Sequence, residues 1–251
     1  MTNLAGVGSA LLVLGLLSSC HKAGQRPARL DVAALGSAQD ALELPSTQLL
    51  RPSVDSKVGG YFLASSEQGR GPGGFGGSSN PPRPAPGAGV MVTSFDASAL
   101  ALEIVPEPAV FKARYAGVKI RLSNRWSSPV AFYAQDSRLS IIHEALDDAG
   151  QWKEIEYLPN SFCGNSYHQV VLGAGEAWDF VAPRYDGSKK TLLRVKLLAG
   201  TALEWQDKAA RQELVQPLRL PAIYSRPYWG AVNPGQFQAK QGQSILDPYD
   251  S

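Results

Sequence analysis

An all-β fold of antiparallel strands, two layers deep, is the class this sequence predicts, and three observations predict it. From about Phe95 onward apolar and polar residues alternate with period two. Turn-forming clusters punctuate that stretch at short intervals. Within that stretch only 206–215 reads as helix, which leaves no crossover helices for a parallel sheet.

The strands follow in order. Residues 100–105 open the series, and 118–123 give its clearest case: Val118, Ile120 and Leu122 point one way while Lys119, Arg121 and Ser123 point the other. Further strands are expected at 130–134, 139–146, 152–158, 169–172, 177–181, 192–198 and 218–223, about nine in all. Between them lie turn signals at 124–129, 147–150, 173–175, 186–187 and 233–235. The hairpin around Asp147-Asp148-Ala149-Gly150 is expected to pair Leu146 with Gln151, which sets Glu144 opposite Lys153 and Ile142 opposite Ile155. A one-residue bulge at Gly150 shifts that register. Many short strands of this kind form an immunoglobulin-like β-sandwich, in which two sheets bury each other's apolar faces.

The chain has 251 residues, enough for one good-sized domain with accessory segments. Its 24 Lys and Arg against 22 Asp and Glu leave a net charge of +2, too small and too mixed for the basic stripe that nucleic acid requires. Two cysteines build neither a disulfide scaffold nor a four-thiolate zinc site. Residues 20–94 read as a flexible linker, because 69–89 alone holds eight Gly and five Pro among 21 residues. A short helix over 30–44, interrupted at Gly36-Ser37 and ended by Pro45, and a stray strand over 58–65 are the exceptions within it. A coil of that length reaches roughly 45 Å. The β-sandwich domain is then 95–251.

Residues 1–19 carry no charged side chain, and Leu11-Leu12-Val13-Leu14-Gly15-Leu16-Leu17 supplies an apolar core of the kind found in export signals. Leu17-Ser18-Ser19-Cys20 follows directly, and this tetrad resembles the lipobox of bacterial lipoproteins. The resemblance implies a signal peptide over 1–19, cleavage before Cys20 and lipidation of its sulfur, the nucleophile that accepts the diacylglyceryl group. Two or more acyl chains anchor a protein durably, at about 0.8 kcal/mol per buried CH₂. His21 in place of Asp is similar to the pattern that sends such proteins to the outer membrane. The resemblance thus implies a cell-envelope address with the membrane as partner.

Five constellations bear on chemistry or recognition. Gly71-Pro72-Gly73-Gly74-Phe75-Gly76 has the letters of a dinucleotide fingerprint, but Pro72 and the Pro-rich run after it make it linker, and no cofactor is expected. His143-Glu144 begins like a zinc-protease motif; without a second His one helical turn on, His143 is expected to face Glu154 across the hairpin instead, and no metal is expected. Cys163 and His168 combine a thiol with a nearby imidazole, the composition of an activated nucleophile, although Gly164-Asn165 suits a tight turn that leaves Cys163 a small buried hydrophobe. Glu154 and Glu156 stand two apart on an expected strand, sharing a face at roughly 6.6 Å, as an acid/base pair for hydrolysis would or as its solvated side. Tyr228, Trp229 and Phe237 lie in a Pro/Gly-rich segment, where rigid rings serve to anchor an envelope protein or a glycan, or to seal the end of the sandwich. The reading that follows is a non-catalytic binding or assembly module; the alternative is an envelope hydrolase or thiol enzyme.

Overall fold

The computed structural model describes residues 38–55, 59–66, 80–87, 91–93, 98–158, 166–198, 202–204 and 221–238. The expected helix over 206–215, the fingerprint-like run at 71–76, Cys20 and Cys163 lie outside these residues. Thirteen strands are described: β1 (Arg83–Pro84), β2 (Leu100–Phe111), β3 (Tyr115–Asn124), β4 (Val130–Gln135), β5 (Arg138–Leu139), β6 (Ile141–Leu146), β7 (Trp152–Glu154), β8 (Tyr167–Leu172), β9 (Glu176–Pro183), β10 (Lys189–Leu197), β11 (Ala202–Glu204), β12 (Ile223–Tyr224) and β13 (Tyr228–Val232). All pair antiparallel.

The first sheet runs β1-β9-β3-β2. In the second, β10 is central, with β6 and then β7 on one side and β12 and β13 end to end on the other. The third sets β4 between β8 on one edge and β5 and β11 on the other. β5 and β6 are separated only by Ser140, so one run of chain passes from the third sheet into the second and the two form a single curled layer. Inward residues of the first sheet meet that layer: Ile120, Leu122, Trp178 and Ala182 are fully buried, as are Phe132, Leu139, Ile141 and Val195 facing them. Trp178 and Phe132 pack edge to face with centroids 5.7 Å apart.

The alternation predicted for 118–123 holds on β3, where Val118, Ile120 and Leu122 are buried and Lys119 and Arg121 half-exposed. Two features extend the strands beyond expectation. β2 continues to Phe111 through Pro106 and Pro108, which its place on the sheet edge tolerates, with a register shift between Val105 and Ala109. Two hairpins turn without glycine, at Lys112-Ala113 and Asp136-Ser137, all four residues having positive φ.

Gly150 corrects the expected hairpin register. The amide of Gly150 bonds the Asp147 carbonyl, Gly150 itself sits at φ 70°, and the Asp147 amide bonds the Gln151 carbonyl. This is a type I turn with a glycine bulge, which moves every pairing by one. Leu146 faces Trp152, Ala145 faces Lys153, and Glu144 faces Glu154.

The linker expected over 20–94 is corrected over 38–55 and 59–66. Leu42 takes a hydrogen bond from Trp229 N and gives one to the Pro227 carbonyl, covering the free edge of β13. Further along, Pro52 O accepts from Asp186 N, Phe62 O from Leu139 N, and Ala64 N donates to Ser137 O. Phe62 and Ala64 are fully buried, and the Trp178 indole donates to the Ser65 carbonyl at 3.1 Å. Composition hid this because the apolar anchors are sparse. The segment behaves as a strap, tied by backbone hydrogen bonds and plugged into the core at Phe62, which packs edge to face on Phe180. Within the Pro-rich run, β1 adds two residues to the edge of β9.

A Phe62→Ala substitution is expected to lower unfolding free energy by about 3–5 kcal/mol, as for any core phenylalanine. Urea denaturation measures this; an unchanged midpoint would return 59–66 to the status of linker. Gly187→Ala should also destabilise, because its Cβ would lie 2.2 Å from the Val232 carbonyl carbon.

Candidate functional site

Glu154 and Glu156 do not form a pair. β7 ends at Glu154, and beyond it the chain leaves the pleat, so Ile155, Glu156 and Tyr157 are all buried in succession. Glu154 stays at the surface, whereas the Glu156 carboxylate is fully enclosed. The expected solvated face of alternating acids is therefore absent at this position. His143 likewise faces Glu156, not Glu154: its main chain accepts from Ile155 N, and its ring turns into the core.

Glu156 is the hub of a buried polar network. Its Oε1 accepts from the Tyr61 hydroxyl, from Tyr185 Oη at 2.5 Å and from His143 Nδ1 at 2.8 Å, while Oε2 accepts from the His143 backbone amide at 3.0 Å. The two tyrosine oxygens lie 2.7 Å apart. Four elements converge here: the strap, β6, the segment after β7 and the segment after β9. Burial pushes the Glu156 pKa up, but the opposing charge of His143 and the hydrogen bonds from His143, Tyr185 and Tyr61 outweigh it and bring the value down to about 2. Burial, then the Glu156 charge, raises the Tyr185 hydroxyl far above its ordinary range. Rings of Tyr61, Phe62, Tyr185 and Tyr228 surround the imidazole at 6.0–6.5 Å, and His143 Nε2 has no hydrogen-bond partner among the described residues. Such a network specifies packing: the His143 and Glu156 side chains are fully enclosed, and Tyr61 is half-buried above them.

The outer face of the second sheet is different in kind. Glu144 and Glu154 stand directly opposite, an unfavourable like-charge pair. Lys196 Nζ resolves it by bridging the two carboxylates at 3.0 Å each. Burial lowers the Lys196 pKa, but the bonds to Glu144 and Glu154 outweigh that and raise it. Arg194 lies opposite Glu144 on the other side and binds its Oε2 through Nε at 2.7 Å and Nη2 at 2.6 Å. The Arg194 guanidinium is held between two rings, with Trp152 at 4.2 Å and Tyr224 at 3.8 Å.

The registers set this face in rows. Trp152, Leu146, Leu192 and Trp229 cross four strands in one line, and Glu154, Glu144 and Arg194 make the next. Ile142, Lys196 and Tyr224 form a third. Ser225 keeps β12 and β13 in line despite Pro227: its amide bonds the Val195 carbonyl, and its hydroxyl accepts from Val195 N.

The C-terminal aromatics separate accordingly. Tyr228 is 1 % exposed and belongs to the core, which withdraws it from the expected partner-binding set. Phe237 is half-buried against that core, with Lys189 Nζ 5.3 Å from its ring. Trp229 and Tyr224 remain exposed, at 36 % and 39 %. Sequence reasoning missed Tyr224 and Trp152 as companions of Trp229, since only strand register brings them to one face. His168 sits on β8 with Nδ1 3.3 Å from the Ser166 carbonyl. Among the described residues no group of three or more His, Cys, Asp or Glu is arranged to hold a metal ion.

No family model, curated protein or solved structure matches the chain.

Because the folded Glu156 pKa of about 2 lies below its unfolded value of 4.5, its contribution is complete above pH 4.5 and is lost as pH falls toward 2. Melting temperature measured across that window should fall in the native protein, and more gently in Glu156→Gln. Glu156→Ala, which strands His143 and both tyrosines, should lower stability by about 3–5 kcal/mol at neutral pH. A stability change under about 0.5 kcal/mol, the ordinary range for surface substitutions, would contradict the hub.

Proposed function

We propose that this protein is a lipid-anchored, non-catalytic binding module of the bacterial cell envelope, carried to the outer membrane and held there by Cys20. The observation that carries the binding half of the reading is the outer face of the second sheet. There two exposed aromatic side chains, Tyr224 and Trp229, stand beside a guanidinium clamped between rings. Natural proteins seldom hold a charge this far from water without a packing or recognition role, because its desolvation must be offset by excellent partners. The first sheet offers the contrast. Its outer face carries a solvated ladder of Arg121 with Asp179, Lys119 with Glu107 and Arg125 with Glu103, the ordinary surface of a soluble strand layer.

The anchoring half rests on Leu17-Ser18-Ser19-Cys20 and the apolar run before it. With the strap packed from Leu42 onward, the chain between Cys20 and that point would reach about 25 Å as a coil, roughly half the span expected for a tether ending near residue 94. The immunoglobulin-like character of the sandwich is part of the same proposal.

Intact-mass measurement on material from the native host tests the anchor: a chain starting at an acylated Cys20 is expected, and retained residues 1–19 with a free thiol would refute it. Photo-crosslinking from position 229 in intact cells tests the binding face. A reproducible neighbour lost in Tyr224→Ala, at unchanged melting temperature, is the expected outcome.

A further inference from the structure

We infer that the outer face of the second sheet binds an uncharged glycan chain, an assignment that rests on the binding reading above and names its ligand class. Charge comes first. Arg194 and Lys196 are matched by Glu144 and Glu154, and all four are joined in one chain of contacts: Arg194 to Glu144, Glu144 to Lys196, Lys196 to Glu154. The face therefore projects little net field, and an ionic ligand would have to break these pairs to gain its own. A ligand with many hydroxyl groups and no charge need not. It can hydrogen-bond to the exposed edges of Glu154 and Lys196 while the ion pairs stay intact.

Layout comes second. The exposed aromatic side chains of this face stand in two rows, Trp229 beside Leu192 in one and Tyr224 beside Lys196 in the other. The aromatic rows are separated by the charged row of Glu154, Glu144 and Arg194. A pyranose chain alternates in the same sense, with C–H faces that stack on rings and hydroxyl edges that need polar partners. Trp152 and Trp229 terminate a row three strand spacings wide, about 14 Å, which is an extended platform and not a pocket. Ring stacking also explains how the platform is kept rigid before a ligand arrives. The Arg194 guanidinium fixes Trp152 and Tyr224 from between, and Glu144 fixes the guanidinium.

A third observation is independent of both. Among the described residues Arg194 Nη1 has no hydrogen-bond partner, although the residue is only 3 % exposed and its other nitrogens are bonded. It lies beneath the Tyr224 ring, itself 39 % exposed. An acceptor oxygen is the chemistry this position lacks, and a hydroxyl-rich ligand supplies one without adding a charge.

Calorimetry and tryptophan fluorescence on the purified full-length chain decide the matter, with chitohexaose and cellohexaose as neutral probes and heparin as the charged one. Saturable binding of a neutral probe is expected, changing less than about twofold between low and high salt, because no counterions are released. Trp229→Ala and Tyr224→Ala should each weaken it about tenfold or more at unchanged melting temperature. If Trp229→Ala fails to fold, Trp229→Ser paired with Tyr224→Ser gives a second comparison on adjacent rows. Binding of heparin alone, or equal binding by the variants, would overturn the inference. Failure of both neutral probes, with a protein neighbour captured from position 229, would also overturn it while leaving the binding reading in place. Failure of the probes and of crosslinking together would remove both.

Discussion

One carboxylate organises this molecule. Glu156 receives two phenolic hydroxyls, an imidazole and a backbone amide, and these four donors come from three residues far apart in the chain: Tyr61, Tyr185 and His143, which gives both its ring and its amide. An ionised carboxylate this deep is tolerable only when its lone pairs are filled, so the geometry of all four contributors is fixed together. Tyr61 brings the strap, His143 brings β6, and Tyr185 brings the turn between β9 and β10. Removing any one leaves the others with a buried, unpaired group. That makes the network a specification of where the strap lies, and the strap in turn covers the edge of β13 through Leu42 and gives Trp178 its acceptor.

The consequences reach the outer surface through strand register. β6 presents His143 to the core and Glu144 to the outside, because neighbours on a strand point opposite ways. Fixing His143 on Glu156 therefore fixes Glu144 against Arg194. The guanidinium then sets the spacing of the Trp152 and Tyr224 rings, and Lys196 reconciles the two facing glutamates. The inner network and the outer platform meet at β6, whose opposite faces carry His143 and Glu144.

Much of the sandwich was legible in the sequence, and the reasons for the rest are local. Residues 118–123 announced themselves because one face is buried and the other charged. β6 and β10 did not alternate so plainly, since Glu144 and Arg194 are buried on the outer side while Ile142 and Leu192 share it. The turns at Lys112-Ala113 and Asp136-Ser137 carry no glycine, although a positive φ costs roughly 1–2 kcal/mol per residue; the long pairing of β2 with β3 holds the first, whereas β4 and β5 pair at two positions around the second. Gly150 was visible as a turn residue, but only its left-handed φ determines that the register moves by one and sets Glu144 opposite Glu154. The strap showed in the sequence only as a stray strand over 58–65, because Tyr61 and Phe62 are two aromatic residues in a Gly/Ser-rich neighbourhood and a buried network forms from residues distant in sequence. The aromatic platform had a partial signal in Trp229, and its other members required knowledge of which strands adjoin.

Hydrogen exchange of the native protein against Glu156→Gln reads whether the carboxylate holds the strap in place. The amides of Gly59 and Ala64 should exchange as slowly in the native protein as those of β6, and the variant should lose protection at 59–66 by about tenfold or more while β3 is little changed. Fast exchange at 59–66 in the native protein, or equal protection in the variant, would contradict it.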